Sequence, residues 1–223
     1  ACFANSLVRK LSSHWPASMY AHSILRSPSA KPLQKSTFTE TKSQNAHYDS
    51  NQITTTKMSL SKFTIRKATL SDCNAIAAVE ATCFPPAEAA KHEDFQKRLE
   101  RYADYFLLMF DGDKLISFVD GFVTDIPDLN DKMYEDAGMH NPNGAWQMIF
   151  GVNTIPEYRH QGCAEKLLRL FVQNAKAESR RGVVLTCKEK LVHYYAKIGF
   201  VDEGISADST HGNVVWNQMR LTF

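Results

Sequence analysis

Val152-Asn153-Thr154-Ile155-Pro156-Glu157-Tyr158-Arg159-His160-Gln161-Gly162-Cys163-Ala164 is the stretch that decides how this chain folds. An apolar run over 146–154 leaves through Pro156 into a basic turn, and a helical pattern follows with Leu167, Leu168, Leu170, Phe171 and Ala175 on one face. Gly162 and the small Ala164 let the backbone at that junction approach a ligand closely. A helix starting there presents free N–H groups and the positive end of its dipole, which suits a pyrophosphate. Arg159 adds a charge-assisted partner. By itself, an R-x-x-G-x-A string also describes an ordinary strand-to-helix turn, so its surroundings must carry the distinction.

Downstream, the helix ends near Arg180-Arg181-Gly182, where a basic last turn and a glycine suit a C-terminus. A buried strand over 183–186, a short helix over 191–198, a strand entered through Gly199-Phe200-Val201 and a last strand over 214–221 follow. Upstream, Phe63, Ile65 and 67–69 read as a strand. Ser71-Asp72 caps a helix whose Ile76, Ala77, Val79, Glu80 and Cys83 form one stripe, and Pro85-Pro86 ends it. A second helix over 91–101 carries Phe95 and Leu99. Two apolar runs, 106–110 and 115–119, then meet across Asp111-Gly112-Asp113-Lys114 as a hairpin. Residues 125–144, with Pro127, Pro142 and Asn141-Pro142-Asn143-Gly144, read as a surface loop with one helical turn. The order βααβββαβαββ predicts an α/β (α+β) chain, a mixed sheet flanked by helices whose one parallel crossover is the unit over 146–186.

The 223 residues carry 26 basic and 24 acidic side chains, and the near balance conceals two unlike parts. Residues 1–57 hold seven basic and two acidic residues, leaving 19 and 22 for 58–223. A mildly acidic body lacks the basic stripe that nucleic acid requires. No window supplies the roughly 18 apolar residues of a membrane span. Cys2, Cys73, Cys83, Cys163 and Cys187 form an odd set without C-x-x-C or zinc spacing, so no disulfide framework and no metal site is expected. The first 57 residues, serine-rich and free of carboxylates up to Glu40, read as a disordered segment of transit-peptide composition. Because the sequence starts at Ala1 and Met58 stands at the edge of the folded part, a start at Met58 is the competing reading. The folded domain is expected over 58–223, with a cytoplasmic address, or a mitochondrial one if residues 1–57 act in targeting.

The loop is accompanied, 31 residues beyond Ala164, by Tyr195 in Leu191-Val192-His193-Tyr194-Tyr195-Ala196-Lys197-Ile198-Gly199-Phe200. With that run the chain resembles the GCN5-related N-acetyltransferases (GNAT), whose acetyl-CoA motif is [RQ]-x-x-G-x-[GA] after a strand and whose later helix carries a Tyr before a Gly-Phe step. The resemblance covers about residues 62–223. It implies the GNAT fold, with a mostly antiparallel sheet and splayed central strands. Cys187-Lys188-Glu189-Lys190-Leu191-Val192-His193-Tyr194-Tyr195 is further similar to the C-x-x-x-L-V-x-F/Y-Y of arylalkylamine (serotonin) N-acetyltransferases, and Ala81-Thr82-Cys83-Phe84 with its prolines is similar to their substrate-loop entry.

The resemblance implies acetyl-CoA as co-substrate without a metal, with Val152, Asn153 and Thr154 receiving the pantetheine arm. Arg159, His160, Gln161, Gly162, Cys163 and Ala164 would hold the pyrophosphate, Cys163 serving as a small filler. The resemblance further implies that Tyr195 would contact the coenzyme and act as general acid toward the leaving thiolate. Phe84, Pro86, Val214 and Trp216 fall where that family lines its amine site. The vertebrate members carry two histidines on the strand before the loop; the aligned positions here are Met148 and Phe150. The proton of an alkylammonium, with a pKa near 10.4, therefore needs another acceptor. Glu80 and Glu88 are the first candidates, followed by His193 or a water chain. The expected partner is a small primary amine, with polyamine or protein acetylation and a non-catalytic coenzyme-binding module as alternatives. Neither nucleic acid nor membrane is an expected partner, and a monomer or weak dimer is expected. His211 lies near a position that is apolar in the family, which points to a more polar amine.

Overall fold

The computed structural model describes residues 60–223. The readings of residues 1–57 and of a domain start at Met58 lie outside the described residues. Nine strands form two sheets. Strands β1 (Thr64–Lys67), β2 (Phe106–Asp111), β3 (Lys114–Asp120) and β6 (Gly151–Thr154) are ordered β1-β2-β3-β6. The second sheet holds β4 (Val123–Thr124), β5 (Trp146–Ile149), β7 (Gly182–Cys187), β8 (Val201–Ile205) and β9 (Asn217–Thr222) in the order β4-β5-β7-β9-β8. The helices are α1 (Cys73–Cys83), α2 (His92–Tyr102), α3 (Lys132–Glu135), α4 (Cys163–Ala177) and α5 (Val192–Ala196).

The anticipated single strand over 146–154 is two strands broken at Phe150. On one side of the break β5 runs parallel to β7, with Ile149 opposite Leu185 as the last pair. On the other side β6 runs antiparallel to β3, from Asp120 opposite Gly151 to Ser117 opposite Thr154. The chain thus leaves one sheet for the other within a residue, and a gap opens between β6 and the end of β7. The only parallel pairing among the described strands is β5 with β7, as the crossover through α4 requires.

The amphipathic stripes dock where their spacing sends them. On α1, Ile76, Val79 and Glu80 are buried. On α2, Phe95, Arg98, Leu99 and Tyr102 are buried at i, i+3, i+4 and i+7. Phe95 stands edge-on to Phe106 and Phe118, with ring centroids 6.4 and 6.1 Å away. Each such fully buried side chain contributes about 1.5–3 kcal/mol. Asp72 does not cap α1 as expected. Its carboxylate takes the Thr69 N–H at 2.8 Å and both terminal nitrogens of Arg66 at 2.7 and 2.8 Å, because a short 3-10 turn, Leu70–Asp72, precedes the helix. Residues 125–144 are also less superficial than their composition suggests. Leu129 and Met133 are fully buried, and Met133 anchors α3 in the core.

Candidate active site

The gap between β6 and β7 opens into a cavity of about 1070 Å³ whose wall brings together residues from every part of the domain. Register decides which backbone groups face it. The Ile155 N–H donates to the Ile116 carbonyl, so odd-numbered residues of β6 bond to β3, and the N–H and C=O of Val152 and Thr154 point to the gap that β7 has left. Both groups of Thr154 are engaged: Arg159 Nε donates to its carbonyl at 3.0 Å, and its N–H faces the Cys83 sulfur.

At the mouth, Gly162 is the N-cap of α4 at φ +85°, a left-handed conformation without a capping side chain, and His160 adopts φ +60°. The left-handed pair turns the chain sharply, leaving the first amides of α4 unbonded by any side chain. Arg159, His160, Gly162, Cys163 and Ala164 line the cavity here, as do Val152 and Thr154. Asn153 and Gln161 do not. Strand alternation sends Asn153 to the opposite face, where it is wholly buried, and Gln161 is drawn back to the Glu157 carbonyl at 2.9 Å. Cys163 is buried and its thiol is pushed up by that burial, which suits a packing residue.

Tyr195 forms part of the opposite wall, its ring edge-on to Tyr194 and Phe200 at 5.2 and 6.1 Å. Burial pushes its hydroxyl well above the ordinary tyrosine range, so it is a proton donor at neutral pH. Glu80 and Glu88 both reach the cavity, but in different states. Glu88 is ion-paired through Oε1 to Lys188 at 2.8 Å, and its Oε2 is buried without a partner. Glu80, 6% exposed, accepts the Ala90 N–H at 3.2 Å through Oε1, and its Oε2 has no partner. Burial, reinforced by the nearby Asp120 carboxylate, raises Glu80 to about 7. His193 is exposed and lies off the cavity wall.

The other end is aromatic. His211 stacks on Trp216 at 4.3 Å and tilts against Tyr134 at 4.5 Å, while Tyr134 meets Phe150 at 5.0 Å. Asp131 holds His211 Nδ1 at 3.2 Å, and Trp216 Nε1 donates to the His211 carbonyl at 3.0 Å. Of the four anticipated acceptor residues, Phe84 and Trp216 line the cavity. Pro86 and Val214 do not. Both prolines of the turn closed by Glu88 N–H to the Pro85 carbonyl, 2.9 Å, are exposed, and it is Pro85 that borders the cavity. Val214 precedes β9, after the irregular turn His211–Asn213, so strand alternation does not extend to it.

Sequence reasoning missed Tyr134, Arg98, Asp120 and Thr186, all on this wall. Leu129 and Met133 at i, i+4 signal the helical turn that carries Tyr134, and Arg98 occupies a core-facing position in the α2 stripe. No group of three or more His, Cys, Asp and Glu side chains able to hold a metal occurs among the described residues. Nor is any described helix long and apolar enough to cross a membrane.

Residues 73–200 match the model of a family described as the acetyltransferase (GNAT) family. Among solved structures, the chain is similar to the loading GNATL domain of CurA from Lyngbya majuscula, at 15% identity and TM-score 0.62 over 72% of this chain and 97% of that one. It is similar to the GphF GNAT-like decarboxylase in complex with isobutyryl-CoA, at 18% identity and TM-score 0.62 over 71% and 98%. It is also similar to the ribosomal-protein-S18-alanine N-acetyltransferase from Escherichia coli, at 16% and 0.54 over 72% and 93%. At these identities the likeness is one of fold. No curated protein matches the sequence.

Proposed function

The chain belongs to the acetyltransferase (GNAT) family, and from that premise we propose that it transfers acetyl from acetyl-CoA to the primary amine of a small arylalkylamine by direct attack in a ternary complex. The single observation that carries the reading is a buried carboxyl to which no cation is bonded, Glu80, on the wall of a cavity that also holds a protonated Tyr195 and a cluster of aromatic rings.

The coenzyme lies with its diphosphate on the amides of Gly162–Ala164 and its pantetheine arm along β6, bonded by the outward N–H and C=O of Val152 as an added strand would be. Glu80, ionised in about half the molecules near pH 7, takes the ammonium proton directly or through water. The neutral amine attacks the thioester carbonyl, the C–N bond forms as the C–S bond breaks, Tyr195 gives its proton to the departing sulfur, and the second proton of the acylated nitrogen passes to the Tyr195 phenolate, which restores the acid. Holding both reactants in place supplies much of the acceleration. Glu88, being tied to Lys188, organises the acceptor loop and is not the base. Phe84, Tyr134, Phe150 and Trp216 offer an aromatic ring its apolar faces, and the Asp131-held His211 offers a polar atom for a ring substituent.

Coenzyme A release by the full chain with acetyl-CoA tests this. Tryptamine and phenethylamine should turn over well above spermidine and a lysine peptide. The reverse order would assign the pocket to a polyamine or protein amine, and no turnover with any amine would leave a coenzyme-binding module.

A further inference from the structure

Behind Glu80 lies a second buried carboxyl that the mechanism above does not use. Asp120 ends β3 at 1% exposure, and Arg98 Nη1 donates to its Oδ2 at 3.3 Å. The same guanidinium donates through Nη2 to the Tyr134 carbonyl at 3.0 Å, so one buried cation ties α2 to β3 and to the helix that carries the aromatic wall. Asp120 Oδ1 is crowded against β6: a Cβ on Gly151 would stand 2.5 Å from it and 3.0 Å from Asn153 Nδ2. Both polar atoms of the Asn153 side chain are buried without a hydrogen-bond partner, as is Glu80 Oε2.

Two carboxyls and one guanidinium therefore line the same cavity, all three nearly fully buried, with Arg98 bonded to Asp120 and not to Glu80. Both carboxyls ionised would leave the cluster one negative charge in excess of Arg98, at a site where an uncompensated charge is costly. We propose that Asp120 and Arg98 are positioning residues for Glu80: the pair leaves one proton to be shared across the two carboxyls, and this is what keeps Glu80 a base that works near neutrality. The inference rests on the reading of Glu80 as the base. Its electrostatic direction agrees with the geometry: burial first and then the Asp120 charge raise Glu80, while the Ala90 N–H, Arg98 and the Asn153 amide, which lies near Glu80 but outside strict hydrogen-bond geometry, oppose them. The other ionisable groups around the pocket are Asp94 and Lys97 on α2, Cys83 at the end of α1, Tyr102 on α2, Tyr134 on α3, and Glu88 with its Lys188 partner. None of them joins the Arg98–Asp120 bond.

The test is the pH profile of kcat/KM for the full chain with acetyl-CoA and the best amine, in wild type, D120N and R98K. Removing the Asp120 charge should move the acidic limb down by about one pH unit. Lysine, which loses the two-armed grip on Asp120 and the Tyr134 carbonyl, should move the limb up. In an E80Q background, D120N should shift nothing. A pair that only braces the fold would lower stability and leave the limb of D120N and R98K where it is in wild type, and that result overturns the proposal. Urea unfolding as a function of pH gives a second reading that needs no turnover. Asp120, raised by burial to about 6, adds its own fall, so the part of the fall that E80Q removes is compared in the two backgrounds: it should lie at lower pH in D120N than with Asp120 present, and an unmoved difference also overturns the proposal. If no amine is turned over, the proposed function fails while the unfolding curve still decides the pairing.

Discussion

The Arg159 side chain donates from Nε to the carbonyl of Thr154 at 3.0 Å, tying the turn before α4 to the last residue of β6. One bond thus links the segment that would receive the diphosphate with the strand that would receive the pantetheine arm. Neither can move far without the other.

Replacing Gly162 by Ala therefore does more than add a methyl. Space is open, since the nearest atom to a new Cβ would be a Leu60 methyl at 3.5 Å, but the backbone stands at φ +85°. An L-residue there costs about 1–2 kcal/mol. If the loop relaxes to escape that strain, coenzyme A affinity should fall roughly tenfold by calorimetry, with little change in melting temperature. Unaltered affinity would remove this turn from the coenzyme site.

Glu80→Gln should cut kcat by about 10²-fold or more, the scale of a lost general base, and leave coenzyme A binding intact. In wild type the active form is the carboxylate, so kcat/KM should rise with pH through about 7. The variant should lose that limb. A variant with wild-type kcat would shift the role to Glu88 or to solvent.

Tyr195→Phe keeps the ring contacts with Tyr194 and Phe200 and deletes only the proton donor. We expect kcat to drop about 10–100-fold while the affinity for coenzyme A holds, at the low end of general-acid effects. Weaker binding with unchanged kcat would make the hydroxyl a coenzyme contact and no acid.

Stability should depend on pH in two opposite windows. Asp72 is lowered from 3.8 to about 2, chiefly by its bonds to Arg66, so its contribution is complete above about pH 4 and is lost as pH falls through 2. Glu80 is raised from 4.5 to about 7. Between those values the folded state binds more protons than the unfolded one, and stability declines as pH rises. Urea titrations from pH 2 to 9 should show both slopes. Asp72→Asn should flatten the acidic one. The neutral one belongs to Glu80 together with Asp120, which burial raises to about 6, so Glu80→Gln should lessen it and the double variant with Asp120→Asn should flatten it.

Most of the order of elements, the glycine turn and the short helix that carries Tyr195 were legible in the sequence because each is a local pattern: a period of 2 or 3.6, a glycine before a helical stripe, a tyrosine shortly before Gly199-Phe200; the two-residue β4 was not. What the linear order hid is relational. The break at Phe150 follows from β5 and β6 pairing with different neighbours, β7 and β3, which lie on opposite sides of them in sequence. The poise of Glu80 depends on Asp120, Arg98 and Ala90, distant in sequence and joined only when α1 and α2 pack over β3 and β6. The aromatic wall needs Tyr134 beside His211, 77 positions along the chain. Periodicity and turn chemistry act over a few residues and so are written in the sequence; desolvation and charge pairing depend on distance through space, and only the folded chain sets those distances.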